Sequence, residues 1–503
     1  SGAGGTVVVG CRGHGGRRVP GARWSSGAGG TVVWAVGQMQ GRVMDRKDVD
    51  HGGSGRLSRR ALLGAGLAGV GGALLAACGS STAAPPLPVV KPGRLGVPPN
   101  PRAPIGSDQL PQVDHIVVVM LENHSFDNIL GTLGRGDGLP RGTDGQPDAT
   151  NPDGTGELIR SFHMPTPCQL AGKPSQTWNA SHAQYDHGRL QGFVESASGP
   201  VAMGYWTGSD LPFTHALASV FPIADRYFCS VLAQTFPNRR YLISGTSYGL
   251  IADVLPKGLP PGGTIFDLLG AHDISWKNYY SSLPTAGVYV SLLSRPSIAS
   301  NLAHIDHFYA DCAAGNLPAF SVVDPNFGTQ SEEDPQDIQY GDVFLSSVVR
   351  AVMDGPKWPK TLLVWCYDEH GGYYDHVPPP RAAVPDDVPP DLVPGDVAGR
   401  FNRYGFRVPA GVVSPYARER YVSPVVHDHT SVLKLVETKW NLPPLTHRDA
   451  AADDLLDSVD FDGSPRFLRP PPLAAPATPA LRAGCEVTGP GVIPPASAVI
   501  KSR

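Results

Sequence analysis

HIVVVMLENHSFDNILG, His115 to Gly131, is the stretch on which the fold turns. Its opening, HIVVVM (115–120), carries successive β-branched residues without alternation, the pattern of a strand buried on both faces. Polarity then switches at once. Glu122, Asn123, His124 and Ser125 crowd in before the helix-like FDNIL, which itself carries Asp127. TLLVWCY (361–367) and FRVPAGVVS (406–414) read as further interior strands, and GDVFLSSVVRAVMD (341–354) and TSVLKLVETKW (430–440) as helices. This alternation predicts an α/β domain with a mostly parallel central sheet over 109–468. The Pro-, Gly- and Asn-rich segment 140–180 reads as an insertion capping the site.

In open α/β sheets, ligands bind beyond the carboxyl ends of the strands. Glu122 and Asn123 sit at such an end. Asp368 and Glu369 sit at another, where TLLVWCY runs into DEHGGYYDHVPPP (368–380). A carboxylate at the edge of an apolar core is costly unless it is paired or metal-bound. Either pair alone reads as helix caps and loop ion pairs. The same pattern at two strand ends favours a shared site with hard oxygen ligands for a divalent cation.

Composition bounds the partners. The chain has 503 residues, 41% of them hydrophobic, and a net charge of −4, so no basic footprint points to nucleic acid. Residues 1–57 are low in complexity, and SGAGGTVV occurs at 1–8 and again at 26–33. This segment reads as translation upstream of a start at Met39 or Met44, or else as a genuine extension. Residues 58–78 resemble a twin-arginine lipoprotein signal: Arg59 and Arg60 precede the apolar run Ala61–Ala77, and LAAC (75–78) resembles a lipobox. A transmembrane anchor is the competing reading, at the short limit of a span and weakened by glycine. Lipidation of Cys78 would tether an exported, cell-surface or cell-envelope protein to the membrane through the Pro-rich linker 79–108. The Pro/Ala-rich tail 469–503 is expected to pack poorly. Cys229 and Cys366 lie in apolar runs and read as buried thiols. A disulfide among Cys168, Cys312 and Cys485 suits an exported protein.

DHIVVVMLENHSFDNILG (114–131) resembles the opening motif of the bacterial phosphoesterase family, which holds phospholipases C and an acid phosphatase type. The resemblance continues through MGYWTGSDLPFTHALASVFPIADRYFCSVLAQTFPNRRYLISGTS (203–247), DEHGGYYDHVPPP and GFRVPAGVVSPYARERYVSPVVHDHTSVLKLVE (405–437). It implies an alkaline-phosphatase-like three-layer α/β sandwich and a metal-assisted covalent mechanism. The residue matching the family nucleophile is Thr235 in AQTFPNRRYL. Pro237 suits a first helical turn, so Thr235 would meet phosphate among free N–H donors at a helix N-terminus. Without the resemblance Thr235 reads as an N-cap. Ser125 is the rival nucleophile, but it matches the structural Ser of the family's SFD motif.

The resemblance also singles out His182, in NASHAQYDHGRLQGF, and His429, in HDHTSVLKLVE, as groups to bind phosphate or protonate the leaving alkoxide. His370 lies in the same neighbourhood without an assigned role. His376 reads as structural and oriented by Asp375. The chain departs from the family where Asp334 precedes Pro335 in place of His, and where Gln191 stands in place of Asp. The expected activity is a phospholipase C-type hydrolysis of phospholipid to diacylglycerol and a phosphorylated head group, through a phospho-threonine. The cation, Ca, Mg, Mn or Zn, would be held by Glu122, Asn123, Asp368 and Glu369. The alternatives are an acid phosphatase on soluble monoesters and a degenerate lipoprotein that binds phosphorylated ligands without turnover.

Overall fold

Every residue of the HIVVVML run is buried in β1 (His115–Leu121), the strand that organises the sheet. The computed structural model describes residues 94–169, 174–256, 258–479, 485 and 491–501. The low-complexity stretch, the segment 58–78 that resembles an export signal and the linker up to residue 93 lie outside these described residues. β1 belongs to an eight-stranded sheet with β2 (Ile223–Ala224), β3 (Trp276–Tyr280), β4 (Leu302–His304), β5 (Phe320–Asp324), β6 (Thr361–Tyr367), β7 (Ala410–Val413) and β8 (Val422–Ser423). The order across it is β8-β2-β7-β6-β1-β5-β3-β4. β7 runs antiparallel to both of its neighbours, and the other adjacent strands pair in parallel.

The register of β1 on β6 fixes the site. Val118 lies opposite Val364 and Leu121 opposite Tyr367, so the two strands end level. Glu122 and Asp368 therefore leave the sheet side by side.

The helices that matter are α1 (Phe126–Leu130), α2 (Trp178–Tyr185), α3 (Pro212–Val220), α4 (Thr235–Ser244), α5 (Ile265–Ala271), α6 (Ile305–Ala314), α7 (Gln339–Asp354) and α8 (His429–Trp440). In α7, Phe344, Leu345, Val348, Val349, Val352 and Met353 recur at helical spacing and are buried. That face packs on α3, α6 and β1, while α8 packs on α4. With β1, β5, β6 and β7 buried on both faces, the domain is a three-layer α/β sandwich. Each fully buried Val or Leu contributes roughly 1.5–3 kcal/mol. α8 starts where Asp428 and Ser431 form a capping box and stops at Asn441 in the left-handed region.

The insertion forms short strands at 150–152 and 158–160, then α2. The tail packs better than its composition suggests. Val499–Ile500 pairs with Leu158–Ile159, Arg350 holds the carbonyls of Leu473 and Ala474, and Cys485 is bonded to Cys168. Strand pairing and a covalent link supply what apolar content does not. Cys312 is a free, buried thiol, as are Cys229 and Cys366. Among the described residues no helix is long and apolar enough to cross a membrane.

Candidate active site

Glu122, Asn123, Thr235, Asp368 and Glu369 meet beyond the carboxyl ends of β1 and β6. Asn123 turns the chain out of β1 with φ 68°, a conformation Asn tolerates better than most residues. Its N–H donates to Asp368 Oδ1 at 3.1 Å, and Glu369 N–H donates to the same oxygen at 2.7 Å. Gly371 passes so close that a Cβ there would lie 1.8 Å from the Asn123 carbonyl oxygen, so no side chain fits. Glu369 Oε2 accepts from Gly371 N–H at 2.7 Å.

Thr235 is the first residue of α4, not its cap. The cap is Gln234, whose side chain caps nothing. The Thr235 hydroxyl faces Asn123 Oδ1 at 3.4 Å. Of the N–H donors expected around it, one is already committed. The Phe236 N–H is taken by Asp253 Oδ1 at 2.7 Å, from a loop seventeen residues further along the chain. Asp253 is an exposed residue, yet burial of its carboxyl raises its pKa to about 6, with the Asp368 charge adding to the rise and the Phe236 N–H, Arg240 and Arg239 opposing it.

Arg239 is a site residue that the sequence reading passed over. It lies one turn after Thr235, on the same face of α4, and is buried. Its guanidinium reaches Glu122 Oε1 at 3.4 Å, Asp368 Oδ2 at 3.2 Å and Asp324 Oδ1 at 3.5 Å. The i, i+4 spacing from the nucleophile position was the available signal. One guanidinium does not balance these carboxylates and Glu369. Burial pushes Glu122 and Glu369 well above the usual range, with the Asp368 charge raising both further; burial also raises Asp368 and Asp324. Glu122 Oε2 and Glu369 Oε1 are buried without a hydrogen-bond partner. A divalent cation fits this donor set: it would satisfy the orphaned oxygens and offset the excess negative charge.

The histidines divide. His429 joins the group through the backbone of Asp368: its ring Nε2 meets the Asp368 carbonyl at 2.7 Å and Nδ1 meets Tyr227 Oη at 3.2 Å. Burial lowers its pKa to about 4, so in this arrangement the neutral ring anchors the end of β6. His182 makes no hydrogen bond to the group among the described residues. Its Nδ1 meets the Trp178 carbonyl at 2.7 Å, and the ring lines a cleft of about 380 Å³ with Trp178, Tyr185, Leu232 and Arg403. His370 Nε2 meets Gln184 Oε1 at 2.7 Å, which ties α2 of the insertion to the loop carrying Glu369. Ser125 donates to the Tyr374 carbonyl at 2.6 Å and accepts from Asn128 N–H at 3.1 Å, so its hydroxyl is committed to structure. Asp334 accepts from Tyr373 Oη at 3.4 Å.

A second ionic cluster lies behind the site. Ligand atoms of Asp127, Asp375 and His376 fall within 4.8 Å of one another, close enough for a possible metal-binding group. The cluster already holds cations of its own. Arg407 donates to Asp375 Oδ1 at 2.9 Å and to Asp127 Oδ1 at 3.1 Å. His376 uses Nδ1 on Asp127 at 2.6 Å and Nε2 on Asp137 at 3.1 Å, while Arg226 pairs with Asp137 at 2.9 Å. His376 is therefore structural as expected, but its carboxylate partners are Asp127 and Asp137 rather than Asp375. Burial alone would lower its pKa; Asp127 and Asp375 outweigh burial and raise it to about 9. The folded state thus binds a proton that the unfolded chain releases above about pH 6.5. The stabilisation is complete below pH 6.5 and is lost as pH rises through 9. Urea unfolding should show about 2–3 kcal/mol lost across that window relative to His376→Gln. Parallel pH profiles for the two proteins would show that the imidazolium contributes nothing.

The sequence profile of the phosphoesterase family matches residues 113–443. Phospholipase C A of Mycobacterium tuberculosis is 30% identical over 421 residues, spanning 72% of this chain and 80% of that protein. Non-specific phospholipase C6 of Arabidopsis thaliana is 32% identical over 386 residues, spanning 70% of this chain and 73% of that protein. A solved protein of the alkaline phosphatase superfamily from Vibrio parahaemolyticus aligns with a TM-score of 0.36 and 9% identity, over 70% of this chain and 71% of that one. The family match takes in both strand ends, α4 and α8, which together build the site. The chain belongs to the phosphoesterase family and is a hydrolase of phosphoester bonds.

Proposed function

We propose a phospholipase C-type phosphodiesterase that releases diacylglycerol and a phosphorylated head group through a phospho-threonine. The observation that carries the reading is the Thr235 hydroxyl held at 3.4 Å from Asn123 Oδ1, beside buried carboxylates with two unpartnered oxygens. The phospholipase C relatives favour a lipid diester as substrate.

Thr235 Oγ attacks phosphorus, and the bond from phosphorus to the glycerol oxygen breaks. The proton that Thr235 gives up on attack balances the one the glycerol oxygen takes as it leaves as the diacylglycerol hydroxyl. Water then splits the Thr235–phosphorus bond and frees the head-group phosphate, and in this second step one proton of the attacking water returns to Thr235 Oγ. Asn123 orients the hydroxyl. Arg239 keeps Glu122 and Asp368 in place and contributes positive charge beside the phosphoryl group. Glu122, Asn123, Asp368 and Glu369 would hold a divalent cation, which when bound lowers the hydroxyl pKa and screens phosphoryl charge.

The test is turnover of phosphatidylcholine vesicles, read as diacylglycerol, beside a soluble aryl phosphate monoester, read as inorganic phosphate. Both are run with and without a chelator, and bound metal is measured. Diacylglycerol release that disappears together with the metal is the expected result. Monoester cleavage alone would reassign the enzyme to the phosphatase branch, and chelator-resistant turnover would remove the cation from the mechanism.

A further inference from the structure

Asp253 has no counterpart in the motifs that mark the site, yet it sits against the residue that follows Thr235. Its Oδ1 takes the Phe236 N–H at 2.7 Å. Pro237 has no N–H, and Asn238 N–H is bonded to the Gln234 carbonyl, so the first turn of α4 has little left to offer an anion. Asp253 is an exposed residue, unlike the carboxylates at the ends of β1 and β6, which are buried. Glu122 Oε2 and Glu369 Oε1 are buried without a partner, and a cation would satisfy both. The residue after Thr235 is thus held by a carboxylate outside the set that a cation would neutralise.

We propose that Asp253 is a charge filter, favouring monoanionic phosphodiesters over dianionic phosphate monoesters at Thr235. The inference rests on the phosphodiester reading above. A diester brings one negative charge and a monoester at neutral pH brings up to two, so a fixed carboxylate beside the phosphoryl group repels the monoester about twice as strongly. The same carboxylate braces the turn that holds the nucleophile, as a distant substitute for the cap that Gln234 does not provide. The two roles separate by substitution. Asp253→Asn keeps an oxygen for the Phe236 N–H and removes only the charge.

The experiment compares kcat/KM for an aryl phosphate monoester and an aryl phosphocholine diester with the same leaving group, at pH 8. Asp253→Asn should raise the monoester-to-diester ratio by about tenfold over the wild type. Inorganic phosphate, a dianion, should inhibit the variant at a concentration lower by a similar factor. Asp253→Ser, smaller and also uncharged, should move the ratio the same way. A ratio unchanged in both variants overturns the filter, even if the wild type is a good diesterase. A wild type that prefers the monoester overturns the phosphodiester reading instead, and the filter with it.

Discussion

Thr235→Ala is expected to lower phosphoester turnover by about a thousandfold or more and to leave the fold standing. The hydroxyl makes one long hydrogen bond, to Asn123 at 3.4 Å, and the α4 cap does not depend on it. The stability cost of losing it should stay within about 1 kcal/mol. Loss of turnover without loss of melting temperature is the signature of a nucleophile. Thr235→Ser keeps a hydroxyl and should retain measurable turnover. Mass spectrometry after acid quench during turnover should find added phosphoryl mass on the peptide carrying Thr235 in the wild type. Near-normal activity in Thr235→Ala would place the nucleophile elsewhere. Ser125 is a poor replacement, because its hydroxyl is engaged with both Tyr374 and Asn128.

Much of this site was legible in the sequence because two strands announce it. β1 and β6 are uninterrupted apolar runs that end in acidic residues, and their bounds match the predicted 115–120 and 361–367 to within a residue. Helices at 341–354 and 430–440 were equally clear, since their apolar positions repeat at helical spacing. Strands such as β2 and β8, two residues each, carry no period and arise only from pairing with neighbours. β7 is shorter than the predicted 406–414: Arg407 gives its side chain to Asp375 and its carbonyl to Phe126 N–H before the chain joins the sheet, and Pro409, which accepts from Tyr367 N–H, has no N–H to extend the ladder.

The charged partners were harder to see. Asp324 ends β5, a strand the sequence reading did not separate, and so its place beside Arg239 went unnoticed. Asp253 lies in a loop without motif or period, and only tertiary packing brings it to Phe236. The motif histidines were visible as residues but not as roles. What decides their roles is which oxygen each ring nitrogen faces, and spacing along the chain does not encode that.

Arg407→Met should destabilise the domain by about 3–5 kcal/mol, because it removes one partner from a buried ion network and leaves the other charges without compensation. Arg407 is fully buried and donates to Asp127, to Asp375 and to the carbonyls of Asp137 and Asp225. Met keeps the apolar stem but not the guanidinium that lies over Phe126, so the loss reads the charge together with its hydrogen bonds and stacking. Adding Asp375→Asn to that variant should recover about 1 kcal/mol or more, since one unpaired carboxylate is then gone. Denaturant midpoints at pH 7 check both numbers. A loss below about 1 kcal/mol would mean that solvent already screens the cluster. The consequence should reach the chemistry as well. The segment 368–376 is held at its front by Arg239 on Asp368 and at its back by Arg407 on Asp375. Releasing the back lets Glu369 and Gly371 drift from Asn123, so turnover should fall further than the population of folded protein does.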